Sequence, residues 1–254
     1  MQNRNTLFIG KVLLNYASLE STNASALELL SKSNPSEGTV ISAYEQTIGR
    51  GQIGSSWESE AGKNLTLSLI LYPKFIPVRH QFILNQAIAL GVRDTVAAFV
   101  DSEVTVKWPN DIYIRGHKTA GILIQNQLLG SNLQACVVGI GLNVNQKIFS
   151  PALSNPTSLL LNVTSTLLDL GSVQEELFIQ LEQRYLQLRG GQEAKIQGEY
   201  LQYMYRYGTL ADYERADGTR FRGTIAGLTE TGKLLVRHEH GTEAFEIKGI
   251  KFLA

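Results

Sequence analysis

Hydrophobic and polar positions follow two different periods along this chain. Apolar runs of strand length predict β-strands, the first of them at a sheet edge, at residues 7–16, 39–44, 64–71, 103–108, 112–114, 120–124 and 133–145. Apolar positions at helical spacing predict helices at residues 24–30, 78–100 and 157–189, and a short helix ending near Tyr205. Strands and helices come in blocks without strict alternation, which favours an α+β fold.

The pattern changes beyond residue 205. Short strand-like runs follow one another there, with turns predicted at Asp217-Gly218, Thr231-Gly232 and His240-Gly241. A segment of this length and pattern is typical of a small antiparallel barrel. We therefore divide the chain into a large domain of residues 1–205 and a barrel of residues 206–254.

The composition of the chain limits the classes of protein to which it can belong. The chain has 254 residues, of which 43% are hydrophobic, so it can build a sizeable core. Lys plus Arg and Asp plus Glu both number 23, which leaves no overall charge to attract nucleic acid or an anionic membrane. The single cysteine, Cys136, lies in an apolar run and is typical of a buried thiol in a reducing compartment. With neither a signal peptide nor a membrane-length apolar run in the sequence, we expect a soluble cytoplasmic protein that binds neither DNA nor membranes.

The segment at residues 49–57 has the most unusual composition. It contains three glycines within six residues and one arginine, between two predicted strands. Glycine lets the backbone approach a ligand, so successive N–H groups can point at an anion. The segment does not end in Gly-Lys-Ser/Thr, and no strand–helix unit frames it, so it is neither a P-loop nor a dinucleotide-binding turn. Taken alone, it is equally compatible with a flexible hairpin connection.

Other polar groups lie at predicted strand ends and turns. They are Ser21-Thr22-Asn23, Gln46, residues 107–111, Lys118 with Gly121, and residues 141–143. Each has a purely structural explanation, as a helix cap, a turn, a solvated lysine or close backbone packing.

Together, and in this order, these motifs resemble the biotin–protein ligases, the biotin–[acetyl-CoA-carboxylase] ligases. Gly-Arg-Gly-x-x-Gly-x-x-Trp at 49–57 is similar to their signature loop. Lys-Trp-Pro-Asn-Asp at 107–111, Lys-x-x-Gly-Ile-Leu at 118–123 and Gly-Ile-Gly-Leu-Asn-Val-Asn at 139–145 also match. The resemblance covers nearly the whole chain. It implies a mixed-sheet catalytic domain of the class II aminoacyl-tRNA synthetase and biotin ligase type, followed by an SH3-like barrel.

The resemblance also implies a reaction in two steps. Biotin and ATP, with Mg²⁺, give biotinyl-5′-AMP and pyrophosphate, and a lysine of a biotin carboxyl carrier protein domain then attacks this mixed anhydride. The first step brings a carboxylate against a polyanion, so the site must supply positive charge and oriented N–H donors.

The matching positions carry the implied roles. Lys118 and Arg50 are the catalytic candidates, and the role proposed for Lys118 is electrostatic. The biotin-binding candidates are Ser21, Thr22, Asn23, Gln46, Arg50, Gly51, Gln52, Lys118 and Gly121. The ATP-binding candidates are Arg50, Trp57, Lys107, Trp108, Asn110, Asp111 and Asn143. Asp111 is also the candidate ligand for the Mg²⁺ that accompanies ATP.

The chain departs from many relatives in two respects. Gln52 and Ser55 stand where those relatives carry arginines, which predicts weaker retention of the adenylate; Gln52 is expected to donate one neutral hydrogen bond. The catalytic motifs begin by Ser21, without the helix-turn-helix domain of the regulatory relatives, so we expect no operator binding.

Two alternatives remain open. One is a lipoate or octanoate transferase-like enzyme of the same fold, against which the Gly-Arg-Gly loop and Lys-Trp-Pro-Asn-Asp argue. The other is a non-catalytic binding relative, against which Lys118 and Arg50 argue. The sequence leaves open which carboxylase carrier accepts biotin and whether the protein forms a homodimer.

Overall fold

The computed structural model describes residues 5–52, 56–164 and 167–253. Its larger sheet contains seven strands, namely β1 (Leu13–Leu19), β2 (Val40–Gln46), β3 (Leu65–Leu71), β4 (Val104–Lys107), β5 (Asp111–Ile114), β6 (His117–Leu129) and β7 (Asn132–Leu142). Their order is β1-β2-β3-β7-β6-β5-β4. Strand β1 runs parallel to β2, and the other neighbouring strands pair antiparallel, so the sheet is mixed.

Four α-helices cover this sheet within the described ranges, namely α1 (Thr22–Lys32), α2 (Phe82–Ala97), α3 (Leu170–Arg189) and α4 (Glu193–Gln202). Leu67 and Leu69 of β3 pack into the main core with α2 and α3, whereas Ile70 packs with Ala26 of α1 on the opposite face. Strand β3 is therefore buried on both faces, and its polar residues Thr66 and Ser68 are buried as well.

A second sheet follows α4. It is antiparallel and contains β8 (Leu210–Arg215), β9 (Arg220–Leu228), β10 (Leu234–His238), β11 (Gly241–Phe245) and β12 (Ile250–Phe252), in the order β11-β10-β9-β8-β12. This confirms the predicted α+β class with a C-terminal β-unit, while the boundary at residues 205 and 206 stays a prediction.

The two sheets are tied together at β4. The backbone N–H of Val106 donates to the carbonyl of Tyr203 at 2.8 Å, and the N–H of Tyr205 donates to Val106 at 2.9 Å. The Trp108 Nε1–H donates to the carbonyl of Gly232, in the turn after β9, at 2.9 Å. The smaller sheet therefore contacts the segment that leads from β4 into β5.

Two predicted elements begin well after their predicted first residue. The first strand begins at Leu13 rather than residue 7, because the carboxylate of Glu182 on α3 accepts the backbone N–H groups of Leu7, Phe8 and Ile9 at 2.5, 2.8 and 2.9 Å. These three residues are thus held against a helix.

The helix predicted at residues 157–189 begins only at Leu170. The N–H groups of Thr157, Leu159 and Leu160 donate to the carbonyls of Lys118, Asn143 and Val144, so this segment lies along strand ends and forms only a 3-10 turn at Leu160–Asn162. Apolar spacing alone does not reveal such tertiary hydrogen bonds.

Among residues 5–52, 56–164 and 167–253, no helix combines the length and apolar character needed to cross a bilayer.

Candidate active site

A cavity of about 150 Å³ opens on the α1 face of the larger sheet. Its lining gathers most of the residues that the sequence singled out, namely Ser21, Thr22, Asn23, Gln46, Arg50, Gly51, Gln52, Trp57, Asn110, Asp111, Lys118 and Gly121. These residues are spread over a hundred positions of sequence, and the sheet brings them together.

The polar wall comes from the start of α1 and the end of β2. Ser21 is the N-cap of α1, with extended backbone, and its Oγ accepts the N–H of Ala24 at 3.4 Å. Gln46 is the last residue of β2, and its Oε1 accepts the N–H of Thr22 at 2.9 Å. Capping and this cross-link therefore set the position of the Ser21-Thr22-Asn23 motif.

Glycines on β6 and β7 form the floor. Gly121 lies opposite Gly141, and the Trp57 ring covers both. A methyl group at Gly141 would lie 2.2 Å from Trp57 Cε2, and one at Gly139 would lie 2.1 Å from Asn23 Oδ1. Both positions require glycine because a side chain packs directly on the backbone. The indole N–H of Trp57 is buried and has no hydrogen-bond partner in the described part of the chain.

Positive charge outweighs negative charge in the lining. The Lys118 ammonium lies 2.7 Å from Asp111 Oδ1 and 5.8 Å from the centre of the Trp57 ring. Arg50 is exposed and has no ion pair with another described residue. With two cations and one carboxylate, the lining suits an anionic ligand.

Backbone contacts fix Lys118 and the glycine loop. The N–H of Lys118 donates to Asn155 at 2.7 Å, and its carbonyl accepts from Thr157 at 2.8 Å. The loop closes on itself through the N–H of Trp57, which donates to Gly49 at 3.0 Å. Residues 53–55 lie outside the described residues, so the predicted effect of Ser55 on adenylate retention stays a prediction.

Three predicted nucleotide contacts lie outside the cavity lining. The Lys107 ammonium donates to the Tyr113 hydroxyl at 3.0 Å and lies 5.2 Å from the Phe252 ring, where burial lowers its pKa. Trp108 is buried against the smaller sheet. Asn143 donates through Nδ2 to Thr157 at 3.0 Å. Their contact with a nucleotide stays a prediction.

The turn between β4 and β5 is held from two helices as well. Asn85 Nδ2 of α2 and the Tyr200 hydroxyl of α4 both donate to the carbonyl of Pro109 at 3.1 Å. The Trp108–Pro109 peptide bond is cis. Asn110 Nδ2 donates to the carbonyl of Ile122, which brings Asn110 and Asp111 to the cavity.

The sequence analysis assigned no binding role to the other lining residues, namely Ser56, Thr66, Leu67, Ile122, Leu123, Gly139, Ile140 and Gly141. Most of them belong to strands that were interpreted as core. The alternation of Leu with Thr66 and Ser68 along β3 was the available signal, since it gives this strand one polar face.

A second cavity, of about 380 Å³, lies between α2, α4 and the turn after β9. Its lining includes His80, Gln86, Glu193 and Glu230, and none of its described lining residues is Lys or Arg. It is larger than the first cavity, but its charge does not suit a polyanion.

Comparison with known proteins agrees with this geometry. Residues 16–143 match the Biotin/lipoate A/B protein ligase family. The Bifunctional ligase/repressor BirA of Bacillus spizizenii is 31% identical over 238 residues, which cover 93% of this chain and 72% of that protein. The Biotin--[acetyl-CoA-carboxylase] ligase of Mycobacterium tuberculosis is 30% identical over 224 residues, 84% of this chain and 79% of that protein.

Among solved structures, the chain resembles the biotin protein ligase from Aquifex aeolicus in complex with biotin and ATP. The TM-score is 0.77 at 25% identity, over 96% of this chain and 99% of that one. The similarity thus extends over both sheets.

Proposed function

The chain belongs to the biotin/lipoate A/B protein ligase family, and we propose that it is an ATP-dependent biotin–protein ligase whose active site is the cavity on the α1 face. It activates biotin as biotinyl-5′-AMP and transfers the biotinyl group to a lysine of a carrier protein. The observation that supports this most is the gathering of Lys118, Arg50 and the Ser21-Thr22-Asn23 motif around one cavity.

The first step joins two anions. A biotin carboxylate oxygen attacks the α-phosphorus of ATP, the bond to the β-phosphate oxygen breaks, and pyrophosphate leaves. Lys118 and Arg50 lower the repulsion between the reacting groups, and the pairing of Lys118 with Asp111 holds its ammonium in place. In the second step a carrier lysine amine attacks the acyl carbon, and AMP leaves with the electron pair of the anhydride bond.

The biotin site combines polar and apolar walls. Ser21, Thr22 and Gln46 offer hydrogen-bonding groups for the ureido edge, while Leu67 and Ile140 line the same cavity with apolar surface. This mixture is what a bicyclic ring with one polar edge requires. Asn23, Gly51, Gln52 and Gly121 complete the proposed biotin contacts.

We assign the nucleotide to the part of the lining that carries Trp57, Asn110 and Asp111. Trp108 and Asn143 act on this part of the lining indirectly. Trp108 holds the turn that carries Asp111, and Asn143 donates to the carbonyl of Thr157. No group of three His, Cys, Asp or Glu side chains that could hold a metal occurs among the described residues. Asp111 would be the protein ligand of the Mg²⁺ that accompanies ATP, and phosphate oxygens would supply most of its other ligands.

The acceptor protein, the oligomeric state and the location of the protein are less well determined than its substrates. The acceptor is a biotin carboxyl carrier protein domain of a carboxylase, in keeping with the name of the mycobacterial relative. A cytoplasmic location and the lack of DNA binding stay predictions, and whether the protein forms a homodimer stays open.

The deciding experiment incubates the protein with biotin, Mg·ATP and a biotin carrier domain, and measures the mass of the carrier. We expect a biotin-sized adduct that depends on ATP. Lys118→Ala should lower kcat about 10²- to 10³-fold, the typical effect of removing one charge-stabilising group. Lys251→Ala is the matched control, because this lysine is 71% exposed on β12.

Two results would favour the alternatives. An adduct formed with lipoate but not with biotin would indicate a lipoate-type enzyme. Biotin binding without an adduct or pyrophosphate exchange would indicate a non-catalytic relative.

A further inference from the structure

One fully buried hydroxyl, that of Ser68 on β3, contacts two residues of the proposed biotin site. Its Oγ lies 2.8 Å from Thr22 Oγ1 and 2.5 Å from Asn23 Oδ1, and Ser68 is 0% exposed. Building on the proposed function, we propose that Ser68 is a specificity-determining positioning residue. It turns the Thr22 oxygen toward the cavity as a hydrogen-bond acceptor, which selects a substrate edge that carries an N–H group.

The orientation of the Asn23 amide follows from its neighbours. Asn23 Nδ2 lies 3.4 Å from the carbonyl of Leu123 and 3.0 Å from Gln125 Oε1. A backbone carbonyl can only accept a hydrogen bond, so the amide nitrogen faces Leu123. The amide oxygen of Asn23 therefore faces Ser68.

The single hydroxyl proton of Ser68 is then donated to Asn23. Asn23 Oδ1 only accepts, and at 2.5 Å from Ser68 it requires the proton that Ser68 carries. Ser68 has no second proton to donate to Thr22, so from the 2.8 Å distance between the two oxygens we infer that the Thr22 hydroxyl donates to Ser68 Oγ. The direction of this chain of hydrogen bonds is fixed from Thr22 through Ser68 to Asn23.

This direction leaves two acceptors together at the cavity. The Thr22 proton points at Ser68, so it cannot serve Gln46 Oε1, which lies 3.2 Å from Thr22 Oγ1. Gln46 Oε1 accepts the backbone N–H of Thr22 instead. Two oxygens whose lone pairs approach each other are stabilised when a ligand N–H enters between them. The ureido ring of biotin carries such N–H groups, and a ligand edge with only acceptors does not.

The first test uses the wild-type protein and two isosteric biotin analogues, in each of which oxygen replaces one ureido N–H. We expect the KM of one of these cyclic carbamates to exceed that of biotin by about tenfold or more, because its ring oxygen faces the two acceptors. Equal KM values for biotin and both carbamates would overturn the proposal. This test requires no variant to fold.

The second test removes the positioning hydroxyl. In Ser68→Ala the Thr22 hydroxyl is free to rotate and donate, so the KM for biotin should rise about tenfold and the discrimination against the carbamate should fall. The KM for ATP should not change. Thr95→Val is the matched control, since Thr95 is also fully buried and donates at 2.8 Å to Gly91 on the other side of the sheet.

A double-mutant cycle shows whether Ser68 acts through Thr22. In a Thr22→Val background, Ser68→Ala should have no further effect on the KM for biotin. Additive effects would refute the role assigned to Ser68. The proposed function fails separately, if the wild-type protein shows no biotin-dependent pyrophosphate exchange.

Discussion

Replacing Gly141 by alanine should displace Trp57 from the candidate active site. The new methyl group would lie 2.2 Å from Cε2 and 2.6 Å from Cζ2 of the indole. Carbon atoms in contact are about 3.5–4.0 Å apart, so the ring must move by more than about 1 Å. Overpacking of this kind costs about 1–3 kcal/mol, and 1.4 kcal/mol corresponds to about a tenfold change. Because Trp57 is assigned to the nucleotide, we expect the KM for ATP to rise about 5- to 150-fold.

Gly121→Ala is the matched control for this substitution. Its methyl group would meet Trp57 Cζ3 at 3.1 Å, so a shift of a few tenths of an ångström relieves the contact. The KM for ATP should then change much less than in Gly141→Ala. Two alanines beneath different edges of one indole ring thus predict a graded series.

Tryptophan fluorescence reports the movement directly. The protein has two tryptophans, and Trp108 is 4% exposed and bonded to Gly232, so a change in emission or in acrylamide quenching comes from Trp57. If Gly141→Ala were folded and kept both the wild-type emission and the wild-type KM for ATP, the placement of Trp57 over Gly141 in the working enzyme would be wrong.

Further predictions concern stability and reactivity. Glu182→Gln should lower the free energy of unfolding, measured in urea, by about 2–4 kcal/mol, because an amide nitrogen would face backbone N–H groups; Glu176→Gln on the same helix is the control. Trp108→Phe should cost about 1 kcal/mol or more through loss of the Gly232 hydrogen bond, seen as a lower Tm. Burial raises the pKa of Cys136 to about 12, so Ellman's reagent at pH 8 should find no thiol in the native protein and one after denaturation. Since the unfolded thiol ionises near pH 8.5 and the folded one does not, this group should make stability fall as pH rises above about 8.5.

The sequence predicted the place of a residue in the fold best where residue type and position within an element agree. Ser21 is a cap, Gln46 ends a strand, and Gly141 lies on a strand that a side chain covers. These are local properties, and short-range patterns reveal them. The family resemblance then implied that Lys118 and Arg50 belong to one site, and both line the cavity.

The same reasoning could not place Lys107 and Trp108. They belong to the same motif as Asp111, yet Lys107 turns toward Tyr113 and Trp108 packs against Gly232 of the smaller sheet. Membership of a motif does not state which way a side chain points, and the contacts that decide it come from distant segments. Ser68 was missed for a related reason. The role of a serine in an apolar strand can be inferred only from its contacts, here with Thr22 and Asn23, and these contacts come from a distant segment.

Through the hydrogen bond from Trp108 to Gly232, the smaller sheet helps to hold the turn between β4 and β5 in place. The carbonyl of Pro109 also accepts hydrogen bonds from Asn85 of α2 and Tyr200 of α4. Two helices and the smaller sheet therefore hold the residues that lead to Asp111. Loss of any one of these contacts should weaken the positioning of Asp111 and its partner Lys118. A substitution in the turn after β9, far along the chain from the candidate active site, should therefore lower activity.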